Sequence, residues 1–347
     1  MRPLTLWRLL ARCGILAAIL FVVVIGALKF GAVPVSLYGL GRDLIHLMLR
    51  QTSAISSAYD MIVIDIRLPR ILLAIIVGAS LSVAGTSFQA LLRNPLADPY
   101  VLGVSSGASL GAILALLLEP HLAVPDTVAA LFTPLGAFLG AAATIAAVYF
   151  LGRRQGQIDS STLLLAGIIS ASFLSAMIMF LITTLTGRGD LRGISFWLMG
   201  DLSASLQQSL RWVLAVGFVV ATGVIYTTAA DLNLLLSGEK EAMHLGVDVP
   251  RVRLVVYIAA SLLTGLAVSV SGAIGYVGLL VPHVMRIIFG SDHRLLIPTA
   301  AFGGAIAVVI ADTLARTVVA PAELPVGAMT ALAGAPLFIY LLRRRLA

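Results

Sequence analysis

Charged positions punctuate this chain instead of alternating with apolar ones. Cutting at them leaves uncharged runs at 13–28, 71–92, 99–118, 127–152, 160–187, 212–230, 254–285, 295–311 and 324–342. A helix crosses a hydrocarbon core of ~30 Å with roughly 20 apolar residues, so these runs are of membrane-span length. The run 254–285 is too long for one crossing and contains Gly272, Gly275 and Pro282. It is expected to split into helices near 254–272 and 275–290. The pattern therefore predicts an all-α polytopic membrane protein with ten transmembrane helices in a single domain over 1–347. An even number of crossings puts both termini on one side.

Composition agrees. Hydrophobic residues make up 60% of the chain and charged residues 11%, against roughly 25% charged in a soluble domain. A water-soluble globule is excluded. Cys13 is the single cysteine, so neither an intrachain disulfide nor a thiol redox pair can form. The net charge of +7 falls in short connections between apolar runs, which points to membrane orientation instead of nucleic-acid binding. On the ten-helix scheme, 14 of the 23 basic residues lie on the side that holds both termini. The positive-inside rule then makes that side cytoplasmic, with short cytoplasmic tails at 1–12 and 343–347 and a large cytoplasmic connection at 231–253. The first run follows basic residues, as in a signal peptide, but no small-residue cleavage site follows it cleanly, and it is read as a retained span.

Inside the runs, small residues recur at four-residue spacing: Gly103, Gly107 and Gly111; Gly136 and Gly140; Ser261, Gly265 and Ser269. Such stripes let helix backbones approach closely in lipid, which argues for a tightly packed bundle. A faint echo links Ser82-Val83-Ala84-Gly85 to Ser269-Val270-Ser271-Gly272, each followed ten residues later by a proline, Pro95 or Pro282. Ionisable groups intrude only near span ends, so a proton relay through the membrane has nothing to run on. The two lysines, Lys29 and Lys240, precede Phe30 and Glu241, so no phosphate-binding Gly-Lys-Ser/Thr loop exists. The five histidines are scattered without metal-ligand spacing, leaving no expected metal site and no visible catalytic machinery.

The stretch from Arg67 reads R-L-P-R, then Gly78, Leu81, Gly85 and Gln89 at helical spacing, then Asn94-Pro95-Leu96-Ala97-Asp98-Pro99, then Leu102-Gly103 and Gly107-Ala108. Further on come Ser271-Gly272-Ala273-Ile274-Gly275, Pro282-His283 with Arg286, Asp292-His293-Arg294, Ala315-Arg316, Glu323-Leu324-Pro325 and Gly334-Ala335-Pro336. This assembly resembles the permease family of ABC importers for vitamin B12, haem and ferric siderophores, over nearly the whole chain after about residue 65. The resemblance implies a type II importer permease of the bacterial inner membrane. It further implies a homodimer, two separate ATPase chains that bind ATP and Mg, a periplasmic substrate-binding protein, and no cofactor in this chain.

Residue by residue, the resemblance makes Arg67, Arg70 and Arg316 docking points for acidic residues of the binding protein. Positive charge at a helix start is unfavourable for the helix dipole, so something other than folding is expected to keep Arg67 and Arg70. Headgroup contacts or a local pair such as Arg316 with Asp312 are the alternatives. The short helix expected within 231–253, with acids early and Gly246 late, is similar to the loop that engages the ATPase, with Gly238, Glu239, Ala242, Leu245 and Gly246 as coupling residues. Ser160 and Ser161 are either gate residues or helix caps. Ser170, Ser172, Ser175, Met177 and Met179 either line the path or pack the fifth helix. The rival readings are an ion-coupled secondary transporter, which needs membrane-embedded carboxylates or broken-helix ion sites, and a polytopic membrane enzyme.

Overall fold

The computed structural model describes residues 5–31, 61–122, 125–154, 157–185, 191–203 and 208–346. Residues 1–4 and 347 of the predicted tails lie outside that set. The first helix, α1 (Leu6–Lys29), is followed by α2 (Leu68–Leu91), which a π-helical turn, Ile62–Arg67, extends backwards without a break. Asp65, Arg67 and Arg70 lie inside this continuous helix, so cutting the sequence at charges hid its first turns. Pro69 follows directly on the π-helical turn, and its missing N–H withholds one donor from the carbonyls of that turn.

After α2 the chain makes a 3₁₀ turn, Pro99–Leu102, before α3 (Val104–Leu118). The run predicted as one helix from 99 is broken because the Asp98 carboxylate accepts the Tyr100 N–H at 2.9 Å and Gly103 takes a left-handed φ of 74°. Then come α4 (Asp126–Leu151), a hairpin pairing Arg153 with Ile158, and α5 (Ser160–Leu185). The short α6 (Leu191–Leu198) was hidden by its own Arg192, and α7 (Gln208–Thr227) follows. The long connection holds α8 (Ala229–Leu235) and α9 (Glu239–His244). The last four helices are α10 (Val249–Ser271), α11 (Val277–Phe289), α12 (His293–Thr317) and α13 (Val326–Leu346).

Seven of the described helices are long and apolar enough to cross a membrane, and Val104–Leu118, Val277–Phe289 and Val326–Tyr340 are shorter apolar ones. Together they stand where the ten predicted spans lie, although Val104–Leu118 and Val277–Phe289 fall short of a perpendicular crossing. The expected split after 272 is present. Gly272 ends α10 at φ 62°, and Tyr276 starts α11 in the left-handed region. Backbone unwound at membrane depth must be satisfied by protein. Here the Tyr100 hydroxyl donates to Ile274 O and accepts from Ile274 N, both at 3.0 Å, while Asp201 N donates to Ser271 O at 2.8 Å.

Burial sorts the helices into a centre and a rim. The apolar windows of α2, α10 and α12 are 83%, 72% and 67% buried, whereas those of α1, α4, α5 and α7 are 17% or less. Small residues bring the central elements together. An added Cβ at Gly78 would run into the Gly304 carbonyl, one at Gly304 into the Gly78 carbonyl, and one at Gly85 into that of Gly278. The predicted stripes on α3 and α4 face each other in the same reciprocal way, Gly107 against Gly140 and Gly111 against Gly136. The third stripe is less demanding, because a Cβ on Gly265 would meet nothing closer than Ala141 Cβ at 3.5 Å.

Candidate functional site

Polar side chains gather at the two ends of α2, about 35 Å apart at 1.5 Å per residue. At its start, Arg70 Nε donates to Asp312 Oδ1 at 2.8 Å and its NH1 to Glu323 Oε2 at 2.8 Å. Arg316 Nε donates to Asp312 Oδ2 at 3.0 Å, so one carboxylate bridges two guanidiniums. Arg67 NH1 donates to the carbonyls of Leu28 at 2.6 Å and Lys29 at 3.3 Å, and Arg316 NH2 reaches Ala27 O at 3.4 Å. Cations therefore sit on the carbonyl end of α1, where the helix dipole favours them. Arg67, Arg70 and Arg316 are buried and Asp312 is fully so, while the Glu323 side chain is 43% exposed. This corrects one expectation. Folding does give these arginines partners, and the local pair Arg316–Asp312 is among them.

At the other end of α2 the coupling residues converge. Glu239, the first residue of α9, accepts from Arg93 NH2 and Arg253 NH2, each at 2.6 Å, through the same oxygen, Oε1. Arg253 NH1 in turn donates to Ile158 O at 3.1 Å. Asp159, next in the chain, caps α5 by accepting the Thr162 N–H at 2.8 Å and its hydroxyl at 2.6 Å. Ser160 Oγ donates to Leu91 O at 3.5 Å, and Ser161 is exposed. Contacts thus run from α9 through Glu239 and Arg253 to the turn before α5, and from there to the end of α2. The hydroxyl residues expected to cap α5 leave that task to Asp159.

The outer surface of this connection carries apolar side chains among its charged ones. Ala242 is fully buried, but Leu236, Met243 and Leu245 are 47%, 49% and 65% exposed on a segment outside every span. Gly246 ends the short helix at φ 86° and Gly238 precedes it at φ 132°, conformations that favour glycine. A six-residue helix is far below the length that is stable alone in water. Exposed apolar side chains in that setting mark a contact surface.

Along α5, Ser172, Ser175, Met177 and Met179 are exposed and Ser170 is half-buried. The Ser172 hydroxyl turns back to Ile168 O at 3.0 Å. Nothing else among the described residues covers this face.

Two ties between helices were not foreseen. Arg286 NH2 donates to Gln89 Oε1 at 2.9 Å and Gln89 Nε2 to Leu279 O at 3.1 Å, linking α2 to α11. Asn233 Nδ2 donates to Asp292 Oδ1 at 2.7 Å, linking α8 to the start of α12. The Arg294 guanidinium beside Asp292 holds that carboxyl down at about 2, against the effect of burial. Burial has the opposite result at Asp98, whose carboxyl is pushed up to about 6 in the turn between α2 and α3. Among the described residues no group of three or more His, Cys, Asp or Glu could hold a metal ion.

A central trio of buried helices, a short loop helix with exposed apolar side chains outside the spans and, among the described residues, charged groups near span ends fit a helical membrane transport subunit. The chain belongs to the FecCD transport family, whose model matches residues 18–344. It is 40% identical over 333 residues to the hemin transport system permease protein HmuU of Yersinia pestis, covering 96% of this chain and 95% of that one. It is 44% identical over 286 residues to the cobalamin import system permease protein BtuC of Halobacterium salinarum, covering 82% and 74%. Its fold superposes with a TM-score of 0.79 on a structure described as an inward-facing metal-chelate type ABC transporter, at 29% identity and with 96% and 99% of the two chains covered. It is an ABC importer permease with the type II fold, and a multi-pass membrane protein.

Proposed function

We propose that this chain is the membrane-spanning half of an ATP-driven importer of a metal chelate, with ferric siderophore or haem ahead of cobalamin. Two copies would pair with the path on their two-fold axis, and two ATPase chains would bind the loop 231–253. A periplasmic binding protein would deliver cargo to the Arg67 end, with both termini of the chain in the cytoplasm. The observation that carries this reading is the unbroken set of contacts from the exposed coupling surface to the turn before α5. A push on Leu245 or Met243 moves α9, and Glu239 passes it through Arg253 to the backbone at Ile158, beside the gate candidates Ser160 and Ser161.

The uncovered face of α5, with Ser170, Ser172, Ser175, Met177 and Met179, would line the path. Polar, uncharged walls suit a bulky chelate that must pass without being held. Docking at the opposite end would work by exchange. The half-exposed Glu323 is the partner of Arg70 that an incoming carboxylate can replace, with the bidentate geometry arginine favours. Arg67 and Arg316 lie deeper and would set the local positive field.

The test is reconstitution with the cognate ATPase in vesicles, adding binding protein loaded with haem, a ferric siderophore or cobalamin. Stimulated hydrolysis and uptake with one of these is the expected result. Uptake by the purified chain alone would refute the ATPase dependence, and stimulation by none of the three would refute the cargo class.

A further inference from the structure

A groove of about 360 Å³ runs between α4 and α10. Its walls are almost wholly apolar, with Phe138, Tyr149 and Phe150 on α4 and Leu254, Ile258 and Leu262 on α10. Tyr257 closes the floor by donating its hydroxyl to Ile145 O at 2.9 Å. From Phe138 to Tyr149 the groove extends about 16 Å at 1.5 Å per residue, close to half of a ~30 Å hydrocarbon core. Its depth is that of one leaflet.

Basic side chains flank one end. Beyond Phe150 on α4 comes Arg153, exposed, with its guanidinium carbon 5.2 Å from the centre of the Tyr149 ring. On α10, Arg251 precedes Leu254 by three residues and so shares its face, and it too is exposed. The helices are antiparallel here, because the end of α4 and the start of α10 both adjoin the hairpin that carries Ile158. Both arginines therefore stand at the same mouth. The nearby Asp248 carboxylate accepts the Arg251 backbone N–H at 3.2 Å as the helix cap. A slot one leaflet deep with two cations at its mouth matches a phospholipid with an anionic headgroup, and basic pockets between transmembrane helices are of this kind.

We propose that the α4–α10 groove is a binding site for an anionic phospholipid, with an acyl chain along Ile258 and Phe150 and its phosphate at Arg153 and Arg251. Arg251 also closes the connection 231–253, but the groove itself is built from α4 and α10, and the proposal does not depend on the assigned cargo.

Native mass spectrometry of the purified full chain with equimolar dioleoyl phosphatidylglycerol and dioleoyl phosphatidylcholine tests it. The wild type is expected to retain phosphatidylglycerol at least fivefold over phosphatidylcholine. Arg153→Ala with Arg251→Ala, at exposed positions, should bring the ratio near one. Ala146→Trp, which fills the groove, should remove the retained phosphatidylglycerol while the protein still elutes as a single folded species. Equal retention of both lipids by the wild type would overturn the proposal, as would an unchanged preference in the double variant. So would an Ala146→Trp protein that keeps its lipid but loses self-association, since the occupant would then be a second copy of the chain.

Discussion

Asp312→Asn is the substitution whose effect can be worked out most fully. The native carboxylate is 1% exposed and receives Arg70 Nε at 2.8 Å and Arg316 Nε at 3.0 Å. Asparagine keeps the shape, so no cavity opens and the change is one of charge. The amide oxygen can still accept from one guanidinium, but the other then faces an NH2 that cannot accept, and the buried anion between them is gone, leaving the half-exposed Glu323 as the carboxylate on Arg70 and Ala27 O as the remaining acceptor for Arg316. Removing one member of a buried ion pair costs about 3–5 kcal/mol, mostly because the other charge stays buried. At ~2 °C per kcal/mol for a chain of this size, the apparent melting midpoint in detergent should fall by roughly 6–10 °C, read by tryptophan fluorescence at fixed scan rate. Arg316→Gln alone should fall comparably. The double variant should fall less than the sum of the two, because both single changes break the same pair and the double change leaves neither partner stranded from the other. A shift under 2 °C for Asp312→Asn, or strict additivity, would refute the view that this carboxylate holds the cluster together.

Other expectations follow the same contacts. Glu239→Gln should lower cargo moved per ATP hydrolysed several-fold in reconstituted vesicles, and Arg253→Lys should do so partly; an unchanged ratio would remove Glu239 from the coupling route. Asp98 has a folded-state pKa raised above its unfolded value, so its contribution is present at low pH and lost as pH rises through about 6. Asp98→Asn should thus raise the melting midpoint at pH 8 and leave it nearly unchanged only below the ordinary carboxylate pKa, near pH 3. Asp292 is the opposite case: its stabilisation is present above the ordinary carboxylate range and lost as pH falls towards 2. Asp292→Ala should cost about 1 kcal/mol near neutrality as a lost helix cap, a gap that closes between pH 4 and 2. Gly111→Leu should abolish folded expression, because the side chain would have to displace the Gly136 backbone.

Helix positions were readable because lipid admits few ways to place a polar backbone, and an apolar run between charges nearly defines a span. The same device failed where charge belongs inside a helix. It set the start of α2 too late, since Arg67 and Arg70 are buried against α1 and α12, and it missed α6. The glycine stripes were legible because four-residue spacing marks one helix face; Gly107 and Gly111 each meet a glycine of α4, whereas Gly103, predicted in the same stripe, caps α3 and faces α5 instead. The coupling residues were legible as a pattern of acids and glycine, but the node was not. That Glu239 meets both Arg93 and Arg253, 146 residues before it and 14 after, depends on tertiary placement. Likewise Tyr100 gives no sign in sequence of serving the backbone of Ile274.

The clamp of Arg70, Asp312 and Arg316 fixes where the protomer can flex. At that end α1, α2 and α12 are tied by charge, whereas the middle of α2 meets its neighbours through bare glycine backbone at Gly78 and Gly85, before Gln89 binds Arg286. Contacts of the second kind slide at little cost in energy; those of the first do not. Rocking would then have its fulcrum at Asp312, and displacement would grow with distance from it, greatest where α2 ends beside Ser160.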